Sequence, residues 1–140
     1  MLLVSENIIE ASIACAPERE KTIFSIAAEL TGCPEYILRG IAFAESSFNA
    51  CAIGDNGVSL GMFQINELFR NERIRLYGDY NPWCPLQSAI LTGLLFMDNL
   101  ETLGNVEDAI AAHRQGISGI KNNGRDQSYV NRVYFAMTLS

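Results

Sequence analysis

Apolar residues in this chain return every three or four positions, in segments closed by Gly, Pro or Asn. That spacing belongs to amphipathic helices, not strands. Ser5 suits the cap of a helix to about Ala14, with Ile8, Ile9 and Ile13 on its apolar face. Pro17 suits the first turn of a second helix. Glu18 and Glu20 stand near its positive end, Ile23, Ile26, Ala27 and Leu30 form its stripe, and Gly32 closes it. Pro34 opens a third helix carrying Tyr36, Ile37, Leu38, Ile41, Ala42 and Ala44. From Asn49 to Ser59 the pattern gives way to clustered Asn, Gly and Asp, as in a loop. Met62, Phe63 and Ile65 lead into a helix to Tyr77, and Gly78 to Pro82 reads as a turn. Pro85 opens a long apolar helix to about Leu103, the predicted centre of the core. Another helix runs from Val106 to His113 and ends near Gly116. A loop to Gly124 then precedes a last helix from about Asp126 to Met137. The prediction is an all-α single domain over residues 1–140, with six or seven helices and no strand. A chain of this length buries about two-thirds of its unfolded surface, enough for one core.

Composition narrows the function. Acids outnumber bases 16 to 10, a net charge of −6, which argues against a general nucleic-acid binder. The excess is uneven. Residues 113–140 carry Arg114, Lys121, Arg125 and Arg132 against Asp126 alone, a net +3, which leaves −9 to the rest. No apolar run reaches the roughly 20 residues that span a bilayer. The best, Ala89 to Met97, stops at Asp98. Met1-Leu2-Leu3-Val4 is soon followed by Glu6 and Glu10 with no basic segment ahead, so no secretory signal is expected. Cys15, Cys33, Cys51 and Cys84 form no CxxC pair, and His113 is the only imidazole. No metal site and no cofactor are therefore expected. Reduced thiols and one or two disulfides both stay open.

Glu45 departs from the apolar pattern. It lies four residues after Ile41, seven after Leu38 and eight after Ile37, on the apolar face of the third helix. A carboxyl there must be paired, hydrogen-bonded or neutral. Such a group is a candidate general acid near neutral pH. The alternative is a Glu at a helix end whose side chain reaches water.

Five segments stand in order, the first of them starting at Glu45. Glu45-Ser46-Ser47-Phe48-Asn49 precedes Gly57-Val58-Ser59-Leu60-Gly61-Met62-Phe63-Gln64-Ile65-Asn66. Then come Pro85-Leu86-Gln87-Ser88-Ala89-Ile90 with Gly93, the stretch Ala109 to Gly116, and Tyr129-Val130-x-Arg132-Val133. Together they resemble the catalytic domain of the soluble lytic transglycosylases, the SLT family, over about residues 21–134. The family signature is Glu-Ser-x-Phe-Asn, a Gly-rich loop, then Gly-Leu-Met-Gln-Ile. The Gln-Ile-Asn ending is similar to small members that accompany secretion systems and to phage-borne members.

The resemblance implies a lysozyme-like fold with an active-site cleft and peptidoglycan glycan strands as substrate. It implies cleavage of the β-1,4 bond between N-acetylmuramic acid and N-acetylglucosamine. Glu45 would act as acid and then base, closing a 1,6-anhydro ring on the muramoyl 6-hydroxyl. One carboxylate then suffices, whereas an ordinary glycosidase needs two. Asp55 is the only acid nearby in sequence for a second role, and Gly54-Asp55-Asn56-Gly57 reads as a turn. A muramidase hydrolysing the same bond, or a peptidoglycan-binding module without turnover, are the alternatives. The implied place of action is the cell wall, and a secretion-system or phage assembly is the implied partner class.

Ser46, Met62, Phe63, Gln64, His113 and Tyr129 are the implied substrate-binding residues beside Glu45. Each has a plainer reading: Ser46 bonds its helix end, Met62 or Phe63 joins the core, Gln64 satisfies loop backbone, and Tyr129 is an amphipathic core residue. The sequence departs from the family at His113-Arg114, where Tyr-Asn is expected. In the family that Tyr contacts the catalytic Glu. Either His113 takes over that hydrogen bond, or it is a surface His that favourably ends a helix. Ala89 replaces a family Asn at the cost of a local hydrogen bond. Cys84 sits where secretion-associated members carry a disulfide cysteine. A Cys51–Cys84 bridge and free thiols are both open.

Overall fold

The computed structural model describes residues 22–138. The predicted helix from Ser5 to Ala14, the Pro17 start and Cys15 lie outside them. The first described helix is α1 (Ile23–Thr31). Thr22 is extended, and its side chain accepts a hydrogen bond from the Ser25 amide. That bond satisfies one of the open donors of the first turn and sets the boundary. Gly32 closes α1 in the left-handed conformation. Pro34, with φ −58°, stands directly ahead of α2 (Glu35–Ser46).

The segment read as loop and helix between Asn49 and Tyr77 differs from expectation. It contains an antiparallel sheet of three two-residue strands, β1 (Ile53–Gly54), β2 (Ser59–Leu60) and β3 (Ile65–Asn66). Ile53 faces Leu60, and Ser59 faces Asn66. Strands this short carry no alternation to read. Gly61 (φ 83°) and Gln64 (φ 51°) are left-handed, so no helix runs through Met62 and Phe63. Asn66 caps a short 3-10 turn (Glu67–Phe69), and α3 is confined to Arg70–Tyr77.

Helix α4 (Pro85–Leu103) carries Pro85 in its first turn. As expected it is central, burying Ser88 through Gly93 and Phe96. It packs against α1, α2 and α5. Helix α5 (Val106–Asn123) does not stop at Gly116. That residue (φ 70°, ψ 167°) kinks it, and the helix resumes to Asn123. The Gln115 side chain holds the far end: it donates to the Gly124 carbonyl at 2.8 Å and accepts from the Asp126 amide at 2.7 Å. Helix α6 (Gln127–Met137) follows, capped by Asp126. The six described helices and the small sheet form the mostly helical architecture expected.

Helices α2 and α6 pack side by side. Gly40 makes the approach possible, because a Cβ there would lie 2.7 Å from both Cγ1 and the carbonyl oxygen of Val133. Cys33, Cys51 and Cys84 are free thiols, so the Cys51–Cys84 bridge is not formed. Burial pushes the Cys33 thiol up to about 12. No helix among the described residues is long and apolar enough to cross a membrane.

Candidate active site

Glu45 occupies the last turn of α2, one residue before the helix ends at Ser46. Its apolar spacing is real in three dimensions, since Ile37, Leu38, Ile41 and Ala42 of the same helix are buried. The Glu45 side chain is only 9% exposed. Its Oε2 accepts a 2.8 Å hydrogen bond from the Tyr129 hydroxyl on α6. Tyr129 itself is fully buried. Burial first, then the Glu45 charge and this hydrogen bond, push its phenol well above its ordinary value, so it remains a donor. The Arg114 and Arg132 guanidiniums lie 5.7 Å and 5.5 Å from its ring centroid.

His113 is not on the surface. It lies within α5, and its side chain is 7% exposed. Its Nε2 is 2.7 Å from the Phe63 carbonyl oxygen and 3.9 Å from Glu45 Oε2. A carbonyl only accepts, so Nε2 carries the proton and donates it there. Burial lowers the imidazole pKa from its ordinary 6.5, against the opposing pull of Glu45. The ring is thus neutral near pH 7, and its Nε2 hydrogen is committed to Phe63, not to Glu45.

The other predicted site residues divide. Gln64 lines a cavity of about 250 Å³ together with Glu45 and His113. Its amide nitrogen donates to the Ala52 and Gly61 carbonyls at 3.2 Å and 3.0 Å, which fixes the side chain in a left-handed turn. Gly54 also lines the cavity, and a Cβ there would collide with Gln64 Oε1. Ser46 is spent on backbone: its hydroxyl donates to Met62 O at 2.6 Å and accepts from the Asn49 amide at 3.1 Å. It ties the end of α2 to the Gly61–Gln64 turn. Phe63 is fully buried and meets Phe24 edge-on, with ring centroids 6.2 Å apart. Met62 packs against the core half-buried. None of these three lines the cavity.

Asp55, Ser59, Asn66 and Arg114 complete the lining. Asp55 is both a turn residue (φ 51°) and a cavity residue, and its carboxylate accepts from the Ser59 hydroxyl at 2.6 Å. Asn66 ends the Gln-Ile-Asn run and Arg114 adjoins His113, so both were in reach of the sequence. Ser59 gave no signal, being one polar residue of a glycine-rich loop. The described residues contain no group of three or more His, Cys, Asp or Glu able to hold a metal. The cavity therefore offers one buried carboxyl with a fixed phenol donor, a second carboxylate, amides and a guanidinium. That set can move a proton and bind a polar, hydroxylated ligand.

A family model described as the transglycosylase SLT domain matches residues 22–134. No curated protein and no solved structure matches the chain. The matched span runs from the cap of α1 into α6 and includes Glu45, the Gly61–Gln64 turn, His113 and Tyr129. With most of its length matched, the chain belongs to the transglycosylase SLT domain family.

Proposed function

We propose that this protein is a peptidoglycan lytic transglycosylase that cleaves the MurNAc-β-1,4-GlcNAc bond. The observation that carries the reading is Glu45, nearly buried, held by Tyr129 and open to a polar cavity. Glu45 protonates the departing glycosidic oxygen. The resulting carboxylate then accepts the proton of the muramoyl 6-hydroxyl, which attacks the anomeric carbon and closes the 1,6-anhydro ring. Tyr129 holds Oε2 and leaves the other carboxyl oxygen for the sugar. Arg114, Asn66 and Gln64 supply polar contacts along the wall. The place of action is the peptidoglycan layer, and a secretion-system or phage assembly is the proposed means of delivery.

A second reading has its own support. Asp55 lines the same cavity as Glu45, with its carboxylate held by Ser59. A carboxylate across the cavity that activates water would make the enzyme a muramidase. Mass spectrometry of digested peptidoglycan separates the two. Anhydro-muropeptides are expected, and reducing ends would assign hydrolysis. Glu45→Gln is expected to lower product release by about a thousandfold, within the range for removal of a general acid. A parent protein that binds glycan and releases neither product would be a binding module.

A further inference from the structure

Beside the catalytic cavity lies another of about 370 Å³, and Asn66, His113 and Arg114 belong to the walls of both. It adds Phe69, Arg73 and Gln115, with the Gly116 kink on its lining. No Asp or Glu is among its lining residues. Arg39, Arg70, Arg75 and Arg125 each pair with an acid. Arg73 and Arg114, by contrast, make no ion pair among the described residues.

Arg73 is held in place without being neutralised. It donates to the Asn66 carbonyl at 2.5 Å and lies 5.7 Å from the Phe69 ring centroid. A guanidinium has five N–H donors, so several remain for a ligand. Phe69 is 57% exposed, a flat apolar surface beside the charge. Arg73 and Arg114 share this cavity with no acid in its lining, and an anion between them can pair with both.

We propose that this cavity takes the carboxylates of the peptide borne by muramic acid, so that Arg73 and Arg114 select peptide-bearing over denuded glycan. The inference rests on the reading above. The peptide leaves the muramoyl sugar at its lactyl ether, and the adjoining cavity shares Asn66, His113 and Arg114 with the cavity that holds Glu45. The Arg guanidiniums pair with its carboxylates, Phe69 packs on its aliphatic parts, and the Gln115 side chain lies beside its backbone.

The test measures binding apart from turnover. A soluble disaccharide-peptide and the same disaccharide stripped of peptide are titrated by calorimetry into Glu45→Gln protein. The titration is repeated with Arg73→Gln or Arg73→Lys added. The peptide-bearing ligand should bind about tenfold more tightly, equal to about 1.4 kcal/mol. Arg73→Gln should abolish that preference and Arg73→Lys should keep most of it. If Arg73→Gln does not fold by circular dichroism, Arg114→Gln is read in its place. Equal affinity for the two ligands, or a preference unchanged in Arg73→Gln, overturns the proposal. So does displacement of the peptide-bearing ligand by a glycerol-phosphate oligomer, which would mark a general polyanion site. Product release by the parent protein is scored separately. Turnover without peptide preference defeats this inference and leaves the catalytic reading standing. Peptide preference without turnover does the reverse.

Discussion

His113 gives up its charge for a position. Burial outweighs the attraction of Glu45 and lowers its pKa from 6.5, and the neutral ring spends its Nε2 hydrogen on Phe63. This has a thermodynamic consequence. In the unfolded chain the imidazole titrates near 6.5, and in the folded protein it titrates lower. Between those values the unfolded state binds more protons, so stability falls as pH falls through that window. The contribution is fully present above 6.5 and is lost progressively below it. A His stabilised as a cation by Glu45 would give the opposite slope. Urea unfolding at pH 7.5, 6.5 and 5.5 is expected to show a steeper loss in the parent than in His113→Asn. The limiting difference is about 1.4 kcal/mol per pH unit within the window. Identical slopes would mean that His113 is not buried neutral. The sequence left this residue open because its position in a helix fixes neither its depth nor the bond of its ring. Those depend on the Phe63 carbonyl, fifty residues away.

At the level of elements, the site is a meeting of α2 and α6. Glu45 belongs to one and Tyr129 to the other, and Gly40 sets their separation. Gly40→Ala gains about 1 kcal/mol of helix propensity. It also places a methyl 2.7 Å from Val133 Cγ1 and its carbonyl. Overpacking of this kind costs about 1–3 kcal/mol, so a net loss of stability is expected. Activity should fall further than the unfolded fraction explains, because the Tyr129–Glu45 bond spans the widened interface. Thermal unfolding, with rates measured well below the transition, checks both. A variant more stable than the parent would show that the helices have room to part. Helix ends governed by local chemistry were legible in the sequence: Pro34, Pro85, Gly32 and Asp126 all mark boundaries found in the structure. What escaped was set by contacts or by length. The strands are two residues each, and the helix resumes after Gly116 with its far end tied through Gln115 to Gly124 and Asp126. Phe63 sits in the family signature, yet it is a core side chain whose carbonyl, not its ring, serves the site.

At the level of the whole molecule, net charge and local charge point in opposite directions. The chain carries −6, which alone would slow its approach to an anionic wall. Six of the acids are committed, however: Glu35, Glu67, Glu72, Asp79, Glu107 and Asp108 pair with arginines that line none of the cavities. Arg73 and Arg114 line the groove next to Glu45, and Arg132 lines a third cavity between α2 and α6. Arg114 and Arg132 fall in the +3 segment read from the sequence. Arg73 was invisible there, because α3 carries it as one of three arginines beside Glu72, with nothing in their spacing to single it out. Only the pairing of its neighbours leaves it unneutralised. Ionic strength distinguishes the two fields. Near 0.01 M salt the Debye length is about 30 Å, so a substrate feels the whole chain, while at 0.15 M it is about 8 Å and the groove acts nearly alone. If the groove governs encounter, the initial rate on isolated peptidoglycan should decline steadily between about 0.01 and 0.3 M salt, with Arg73→Gln showing a shallower decline. If the overall charge governs, the rate should rise with salt as repulsion is screened. A rate that rises, or an Arg73→Gln slope equal to the parent's, would show that the unpaired arginines do not set the field the substrate meets.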